Sequence, residues 1–112
     1  MKILVLDDEN KKNGKITDLF DTRKIDGMLC STSNEFLNAV EASKFDTLYI
    51  NADTWCKGRA IYDYFDISKK IETKPVVFYN AEEKFPGIGG RQSVEQDKIY
   101  YKPVELDAVF AG

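Results

Sequence analysis

The chain has 112 residues, of which 43% are hydrophobic and 31% charged, as is usual for one globular domain. Its net charge of −3 gives no electrostatic reason to expect binding to nucleic acid or to an anionic membrane. Histidine is absent, which excludes imidazole catalysis and zinc sites that use histidine. No apolar run approaches the roughly 18 residues of a membrane span, and the N-terminus does not have the pattern of a signal peptide. We therefore expect a single cytoplasmic domain over residues 1–112, with Cys30 and Cys56 as free thiols or as one disulfide.

The first element is a short apolar run at residues 2–6 that ends in three acids, Asp7, Asp8 and Glu9. A continuous apolar run of this length indicates a strand buried on both faces in the middle of a parallel sheet. Ligands of open α/β sheets bind at the carboxyl ends of such strands. Because three adjacent acids repel one another unless a cation lies between them, the run predicts a cation or phosphate site at this edge.

The rest of the chain alternates between strands and helices. Strands are predicted at residues 2–6, 27–31, 47–50, 76–79 and 99–101. Helices are predicted at residues 10–23, with the regular part beginning near Gly14, at 33–43, at 60–72, and in a final short segment that carries Leu106, Val109 and Phe110. The order β-α-β-α-β-α-β-loop-β-α predicts an α/β fold with a parallel sheet, helices on both faces and right-handed crossovers.

Three local patterns refine this outline. Thr32 and Glu35 have the spacing of a capping box that starts the second helix. Residues 54–59 are predicted to form a loop, in which Trp55 is more readily a packed lid than an anchor for a partner. The segment 82–98 has only a short helical turn at 93–96. Its glycines near Arg91 indicate a flexible loop, with a phosphate cradle as the less favoured alternative.

Several of these features together resemble a response-regulator receiver domain. They are the acid pair after strand one, Phe45-Asp46 before strand three, the fourth strand through Ala81, and Lys102-Pro103 after strand five. The resemblance covers nearly all of the chain. It implies a flavodoxin-like (CheY-like) three-layer sandwich around a five-stranded parallel sheet of order 2-1-3-4-5, with the fourth helix short or absent.

The same resemblance assigns roles to particular positions. It implies that Asp7 and Asp8 hold Mg²⁺, together with the backbone at Asp53, and that Lys102 binds phosphoryl oxygens. Three further positions depart from the receiver pattern. The phospho-acceptor position is Asn51, the hydroxyl position is Asn80 and the position of the switch aromatic is Ile99. Tyr100 and Tyr101 are one register off that last position, and a shift of one residue on a strand points a side chain to the opposite face.

These departures change the expected chemistry. The amide of Asn51 is neutral and a poor nucleophile, so it cannot form the acyl phosphate of ordinary receivers. It also removes one charge from the Mg²⁺ site formed by Asp7, Asp8 and Asp53, which is therefore expected to be weak or lost. In the alternative arrangement, Lys102 lies among Asp7, Asp8 and Asn51 and neutralises the acids without a metal. Loss of the hydroxyl and of the aromatic removes the latch that phosphorylation would bias.

The sequence thus predicts an atypical receiver, a pseudo-receiver without enzymatic activity, that signals through phosphorylation-independent protein–protein interaction. The partner is expected to be a histidine kinase, another regulator, an effector or a second copy of the chain. One alternative is a phosphorelay receiver that is phosphorylated on another acid, Asp53 or Asp8. Another is a receiver-like enzyme in which Asp7, Asp8 and Asp53 use a metal to process cyclic phosphates. The lack of a histidine as general base and the presence of Lys102-Pro103 count against the enzyme.

Overall fold

The computed structural model describes residues 2–12, 14–58, 75–83 and 98–110. The strands are β1 Lys2–Leu6, β2 Asp26–Cys30, β3 Thr47–Asn51, β4 Val76–Ala81 and β5 Lys98–Tyr101. The helices are α1 Asp8–Lys12, α2 Lys15–Arg23, α3 Ser33–Ala42, α4 Ala52–Gly58 and α5 Leu106–Val109. The helix predicted at 60–72 and the helical turn predicted at 93–96 lie outside the described residues, so the expectation of a short or absent fourth helix does too.

The five strands form one parallel sheet with the order β2-β1-β3-β4-β5, which confirms the predicted order 2-1-3-4-5. β1 and β3 are interior strands, and their apolar runs are buried on both faces, as the sequence indicated. Leu6 pairs with Ile50, and Asn51 pairs with Tyr79. The register therefore brings the ends of β1, β3 and β4, with the polar residues that follow them, to one edge of the sheet.

Alternate residues of each interior strand supply two separate core clusters, one on each face of the sheet. Leu4 and Leu6 pack in the first cluster with residues of α3 and α4. Ile3 and Val5 pack in the second cluster with residues of α2 and α5. Helices therefore cover both faces, which confirms the three-layer arrangement.

The acidic end of β1 continues directly into a helix, whereas the sequence predicted one helix at 10–23. Asp7 Oδ1 accepts hydrogen bonds from the backbone N–H groups of Glu9 (3.0 Å) and Asn10 (2.9 Å), as an N-cap residue does. This cap starts α1 at Asp8. Gly14 then has a left-handed backbone (φ 72°) between α1 and α2, which glycine adopts without steric cost. The predicted helix is thus two helices, and the regular part begins at Lys15, next to Gly14 as expected.

The loop predicted at residues 54–59 is wrong for its described part, because α4 begins immediately after β3. Asn51 Oδ1 accepts a hydrogen bond of 2.9 Å from the N–H of Asp53, two residues along, which is again an N-cap interaction. Trp55 lies on this helix and is only 2% exposed, so it packs in the first core cluster. Its burial agrees with the predicted packing role and not with an exposed anchor.

The capping box before α3 is confirmed in one half and changed in the other. Thr32 Oγ1 accepts from the N–H of Glu35 at 3.2 Å, as predicted. The Glu35 carboxylate, however, accepts from the hydroxyl and the N–H of Ser31, one residue before the cap. Hydrogen bonds from Ser31 lower the pKa of Glu35. This pair closes the turn between β2 and α3.

Candidate functional site

Asp7 lies at the centre of the polar edge and is completely buried. Its Oδ1 is occupied by the two N–H groups that cap α1. Its Oδ2 accepts from the side-chain amide of Asn10 at 2.7 Å and from the hydroxyl of Tyr79 at 2.5 Å. A carboxylate offers about four lone-pair positions, so all of the acceptor capacity of Asp7 is used by donors of the protein itself.

The hydroxyl of Tyr79 covers the Oδ2 side of the Asp7 carboxylate. Tyr79 is the fourth residue of β4, it is fully buried, and its ring packs edge-on against Phe110 with centroids 5.9 Å apart. Burial, followed by the charge of Asp7, raises the pKa of Tyr79. The hydroxyl therefore keeps its proton and stays a donor to Asp7. Tyr79 thus fixes the carboxylate to which a receiver would be expected to bind a metal.

Asp8 is tied to α4 through Thr54. The Thr54 hydroxyl donates to Asp8 Oδ1 at 2.7 Å, and the N–H of Asp8 donates to Thr54 Oγ1 at 3.0 Å. This reciprocal pair links the first turn of α1 with the first turn of α4 across the carboxyl edge. The second predicted metal ligand is therefore also engaged by a protein side chain.

Asn51, which the receiver resemblance places at the phospho-acceptor position, has no exposed surface. Its Oδ1 caps α4 and also lies 3.5 Å from the side-chain amide nitrogen of Asn80. Its Nδ2 has no hydrogen-bond partner among the described residues. A buried donor without a partner costs about 1–3 kcal/mol. The position therefore uses the oxygen of its side chain and gains nothing from the amide nitrogen.

Lys102 and Asp53 form the exposed part of the site. Lys102 Nζ lies 3.0 Å from Asp53 Oδ2 and 2.8 Å from Glu82 Oε1. Asn80, which has a left-handed backbone (φ 60°), donates from Nδ2 to Asp53 Oδ2 at 2.8 Å. The hydrogen bond to Glu82 has the largest effect on the pKa of Lys102, the hydrogen bond to Asp53 has the second largest, and both raise it. Asp53 is thus the acid on which the lysine and the amide converge.

These contacts correct the expected place of Lys102. One of the two arrangements left open by the sequence put its ammonium among Asp7, Asp8 and Asn51. Its ion pairs within the described ranges are with Asp53 and Glu82. The physical reason is that Asp7 is held by neutral donors and is sealed from solvent, which leaves the lysine to the acids at the surface. The Lys102–Pro103 peptide bond is cis.

Ile99, which the resemblance places at the switch position, is 40% exposed, and Tyr101 on the same face of β5 is 49% exposed. Tyr100, between them, packs against the second core cluster. Tyr100 therefore lies on the face opposite Ile99, as predicted. The prediction is wrong for Tyr101, which is two residues from Ile99 and shares its face.

Mg²⁺ does not fit the arrangement of these acids. A magnesium ion demands octahedral oxygen coordination, with carboxylates and waters as ligands. To bind Asp7, it would have to displace the Tyr79 hydroxyl, the Asn10 amide or a helix-capping N–H. Among the described residues, no group of three or more acidic or cysteine side chains is arranged to hold a metal ion. The predicted set Asp7, Asp8 and Asp53 is thus divided between separate protein partners.

Sequence reasoning missed four residues of this site, namely Asn10, Thr54, Tyr79 and Glu82. A signal for Tyr79 was present, because a tyrosine near the end of a buried strand needs a partner for its hydroxyl. The strand order places that partner at the end of β1. Thr54 and Glu82 carry no comparable signal, since polar residues after strands are usually solvated.

No protein-family model matches the chain, and no curated protein matches it in sequence. Solved structures do match its fold. A RitR mutant matches with a TM-score of 0.69 and 15% identity, over 96% of this chain and 49% of that one, so the chain spans about half the length of RitR. A two-component response regulator from Clostridium difficile matches with a TM-score of 0.69 and 20% identity, over 99% and 90%.

A third match is the receiver domain of the sensor histidine kinase PA1611 from Pseudomonas aeruginosa PAO1, which has a magnesium ion coordinated in its active-site cleft. The TM-score is 0.61 and the identity 12%, over 93% of this chain and 86% of that one. No helix in the described part of this chain is long and apolar enough to cross a bilayer. At these identities the likeness establishes the architecture: the chain has the flavodoxin-like, CheY-like fold of receiver domains.

Proposed function

We propose that this chain is a pseudo-receiver: a signalling domain that keeps the receiver scaffold and acts by protein–protein interaction without phosphorylation. The observation that carries this proposal is the buried Asn51, whose side-chain oxygen is committed to the start of α4. An amide there supplies no nucleophile for an acyl phosphate. The proposed place of action is the cytoplasm, and the partner is a regulator, kinase or effector protein.

The state of Asp7 supports the same proposal. In the receiver mechanism the first acid pair must be open to Mg²⁺, which neutralises the incoming phosphoryl oxygens. Here the Tyr79 hydroxyl and three N–H donors occupy the Asp7 carboxylate. Both the acceptor and the metal ligand of the reaction are therefore used as structural groups that start helices, and we infer no enzymatic activity.

The test is incubation of the protein with Mg²⁺ and a small acyl-phosphate donor, followed by intact-mass measurement. The expected result is no added phosphoryl group. A double variant, Asn51→Asp with Tyr79→Phe, is treated in parallel as the positive comparison, because it restores a carboxylate at the acceptor position and removes one of the donors that occupy Asp7. Stable incorporation at an aspartate of the wild-type chain would refute the pseudo-receiver proposal.

A second candidate function, phosphoryl acceptance at Asp53, is favoured by one observation. The Asp53 carboxylate has the two neighbours that a phosphoryl group would need, the Lys102 ammonium at 3.0 Å and the Asn80 amide at 2.8 Å. In an ordinary receiver, a lysine and a hydroxyl serve the acid at the end of strand three. Here a lysine and an amide serve the acid two residues later.

The same mass measurement separates the two candidates when an Asp53→Asn variant is included. Incorporation in the wild type that disappears in Asp53→Asn assigns the acceptor to Asp53. Incorporation that persists in Asp53→Asn points to another acid, with Asp8 as the next to be replaced. The first candidate is the better supported, because the hydrogen bonds to Asp7 occupy its carboxylate. No arrangement of the described residues then forms the metal site that phosphoryl transfer uses.

A further inference from the structure

A cavity of about 560 Å³ lies on the α2 and α5 side of the sheet, apart from the Asp53–Lys102 pair. Its walls come from α1, α2, the end of β4 and the segment that leads into α5. Pockets for small ligands typically have volumes of about 300–1,000 Å³. The volume is therefore suitable for a small organic molecule.

Part of the lining is apolar. Leu19 of α2, Val104 before α5 and Leu106 of α5 line the cavity, and all three are half-buried side chains that pack against the second core cluster. They are fixed by the core on one side and present the remaining surface to the cavity. A ligand that contacts them should have methylene groups, because burial of methylene groups against apolar side chains is favourable.

The rest of the lining is polar, and most of its charged residues are acidic. Four carboxylates and one lysine among the described lining residues, Glu9, Asp18, Glu105, Asp107 and Lys15, leave a net charge of −3. The Asp107 carboxylate pairs with Arg23 at 3.3 Å, but Glu9, Asp18 and Glu105 have no ion pair within the described ranges. A concave surface lined by one sign of charge concentrates counter-ions of the opposite sign. The cavity therefore favours a cationic ligand.

The arrangement of these acids distinguishes between types of cation. Glu9, Asp18 and Glu105 come from three different segments, and no metal-binding cluster is found in the described part of the chain. A compact metal ion needs its ligands within about 2–2.6 Å of one point. Separated carboxylates around apolar side chains instead match positive charges that are spaced along an aliphatic chain.

We propose that this cavity binds a linear aliphatic polyamine. Its ammonium groups pair with Glu9, Asp18 and Glu105, and its methylene groups lie on the side chains of Leu19, Val104 and Leu106. The cavity borders the carboxyl edge, because Glu9, Tyr79 and Asn80 line it. It does not use Asp7, Asp8 or Asp53, and the proposal holds whether or not the chain accepts a phosphoryl group.

The test is calorimetric titration of the full chain with spermidine at low ionic strength. We expect saturable 1:1 binding that weakens as NaCl is added. The double variant Asp18→Asn with Glu105→Gln should weaken binding by about tenfold or more. Both changes keep the size of the side chain, and the Glu105 side chain makes no cap hydrogen bond to α5. The fold of each variant is checked by its thermal unfolding curve.

The matched control is Asp21→Asn with Asp26→Asn, which removes the same charge from exposed residues that do not line the cavity. This pair should change the affinity by less than about twofold, since long-range charge is screened. Absence of saturable binding, or equal weakening by both pairs, would overturn the proposal. So would binding of an arginine-rich peptide without binding of spermidine, which would make the cavity part of a protein-docking face. If the double variant does not fold, the single variant Glu9→Gln tests the site. We expect it to weaken spermidine binding at least threefold, and an unchanged affinity would contradict the site.

Discussion

Replacing Tyr79 by Phe probes the contact that closes Asp7. The change removes one hydroxyl and leaves the ring, with its edge contact to Phe110, in place. The Asp7 carboxylate loses the donor on Oδ2 that is contributed by β4, and no solvent reaches the site, because both residues are fully buried. A hydrogen bond to a charged group contributes about 1.5–3 kcal/mol, so we expect a loss of about 2 kcal/mol in the free energy of unfolding. For a domain of this size, the midpoint temperature should fall by about 8 °C.

The assay is urea and thermal unfolding of the wild type, Tyr79→Phe and a control variant, Tyr49→Phe. Tyr49, on the neighbouring strand β3, is 7% exposed and stacks on Phe110 at 4.6 Å. Within the described residues its hydroxyl has no hydrogen-bond partner, so its removal should cost less than about 0.5 kcal/mol. If Tyr79→Phe costs no more than Tyr49→Phe, the hydroxyl does not hold Asp7 and the reasoning about the closed carboxylate fails.

Three further predictions concern the acceptor position, the alkaline range and the buried thiol. Asn51→Asp should fold, because a carboxylate can accept the same N–H of Asp53. Calorimetry should detect Mg²⁺ binding to this variant, and tighter binding to the double variant with Tyr79→Phe. Asn51→Ser, which keeps a cap oxygen without charge, should bind no Mg²⁺. The pKa of Tyr79 is raised in the folded state, so above about pH 10 this tyrosine ionises only in the unfolded chain. The free energy of unfolding should therefore fall by about 1.4 kcal/mol per pH unit in that range. Tyr79→Phe should lose this part of the slope, and an unchanged slope would contradict the assignment. Cys30 is a free, buried thiol whose pKa is raised to about 11, chiefly by burial. Iodoacetamide at pH 8 should therefore leave it unmodified until urea is added, which peptide mass spectrometry can measure. Rapid modification of the folded protein would show that the end of β2 opens.

The sheet could be predicted from the sequence because its signals are local and redundant. The runs that became β1, β3 and β4 are apolar enough to be buried on both faces, and helical periodicity separates them. Once the strands are in order, the carboxyl edge follows, and with it the proximity of Asp7, Asn51 and Asn80. That edge is where the polar residues were expected.

The starts of α1 and α4 could not be predicted in the same way. Asp7 and Asn51 each follow a strand, and a polar residue there is equally compatible with a loop or with an N-cap. The choice depends on whether the following turn packs, as Trp55 does in the first core cluster. The resemblance predicted a metal-binding role for Asp7 and placed Asn51 at the phospho-acceptor position, and both side chains cap the helices that follow them.

The ion-pair partners of Lys102 could not be predicted from the sequence either. A long, flexible ammonium side chain reaches several acids at a sheet edge, and only the burial of Asp7 decides against that residue. Burial of Asp7 depends in turn on Tyr79, which is one residue before the position examined for a hydroxyl. The expectation that Lys102 neutralises Asp7 was therefore wrong: neutral donors from Tyr79, Asn10 and the backbone hold the Asp7 carboxylate, and the lysine pairs with Asp53.

The central claim is that the carboxyl edge of this sheet is closed by the protein's own donors and is not open to a metal. Calorimetric titration of the wild-type chain with MgCl₂ tests it most directly. The account predicts no saturable binding below the millimolar range, and sub-millimolar binding accompanied by loss of the Tyr79 hydroxyl contact to Asp7 would contradict it.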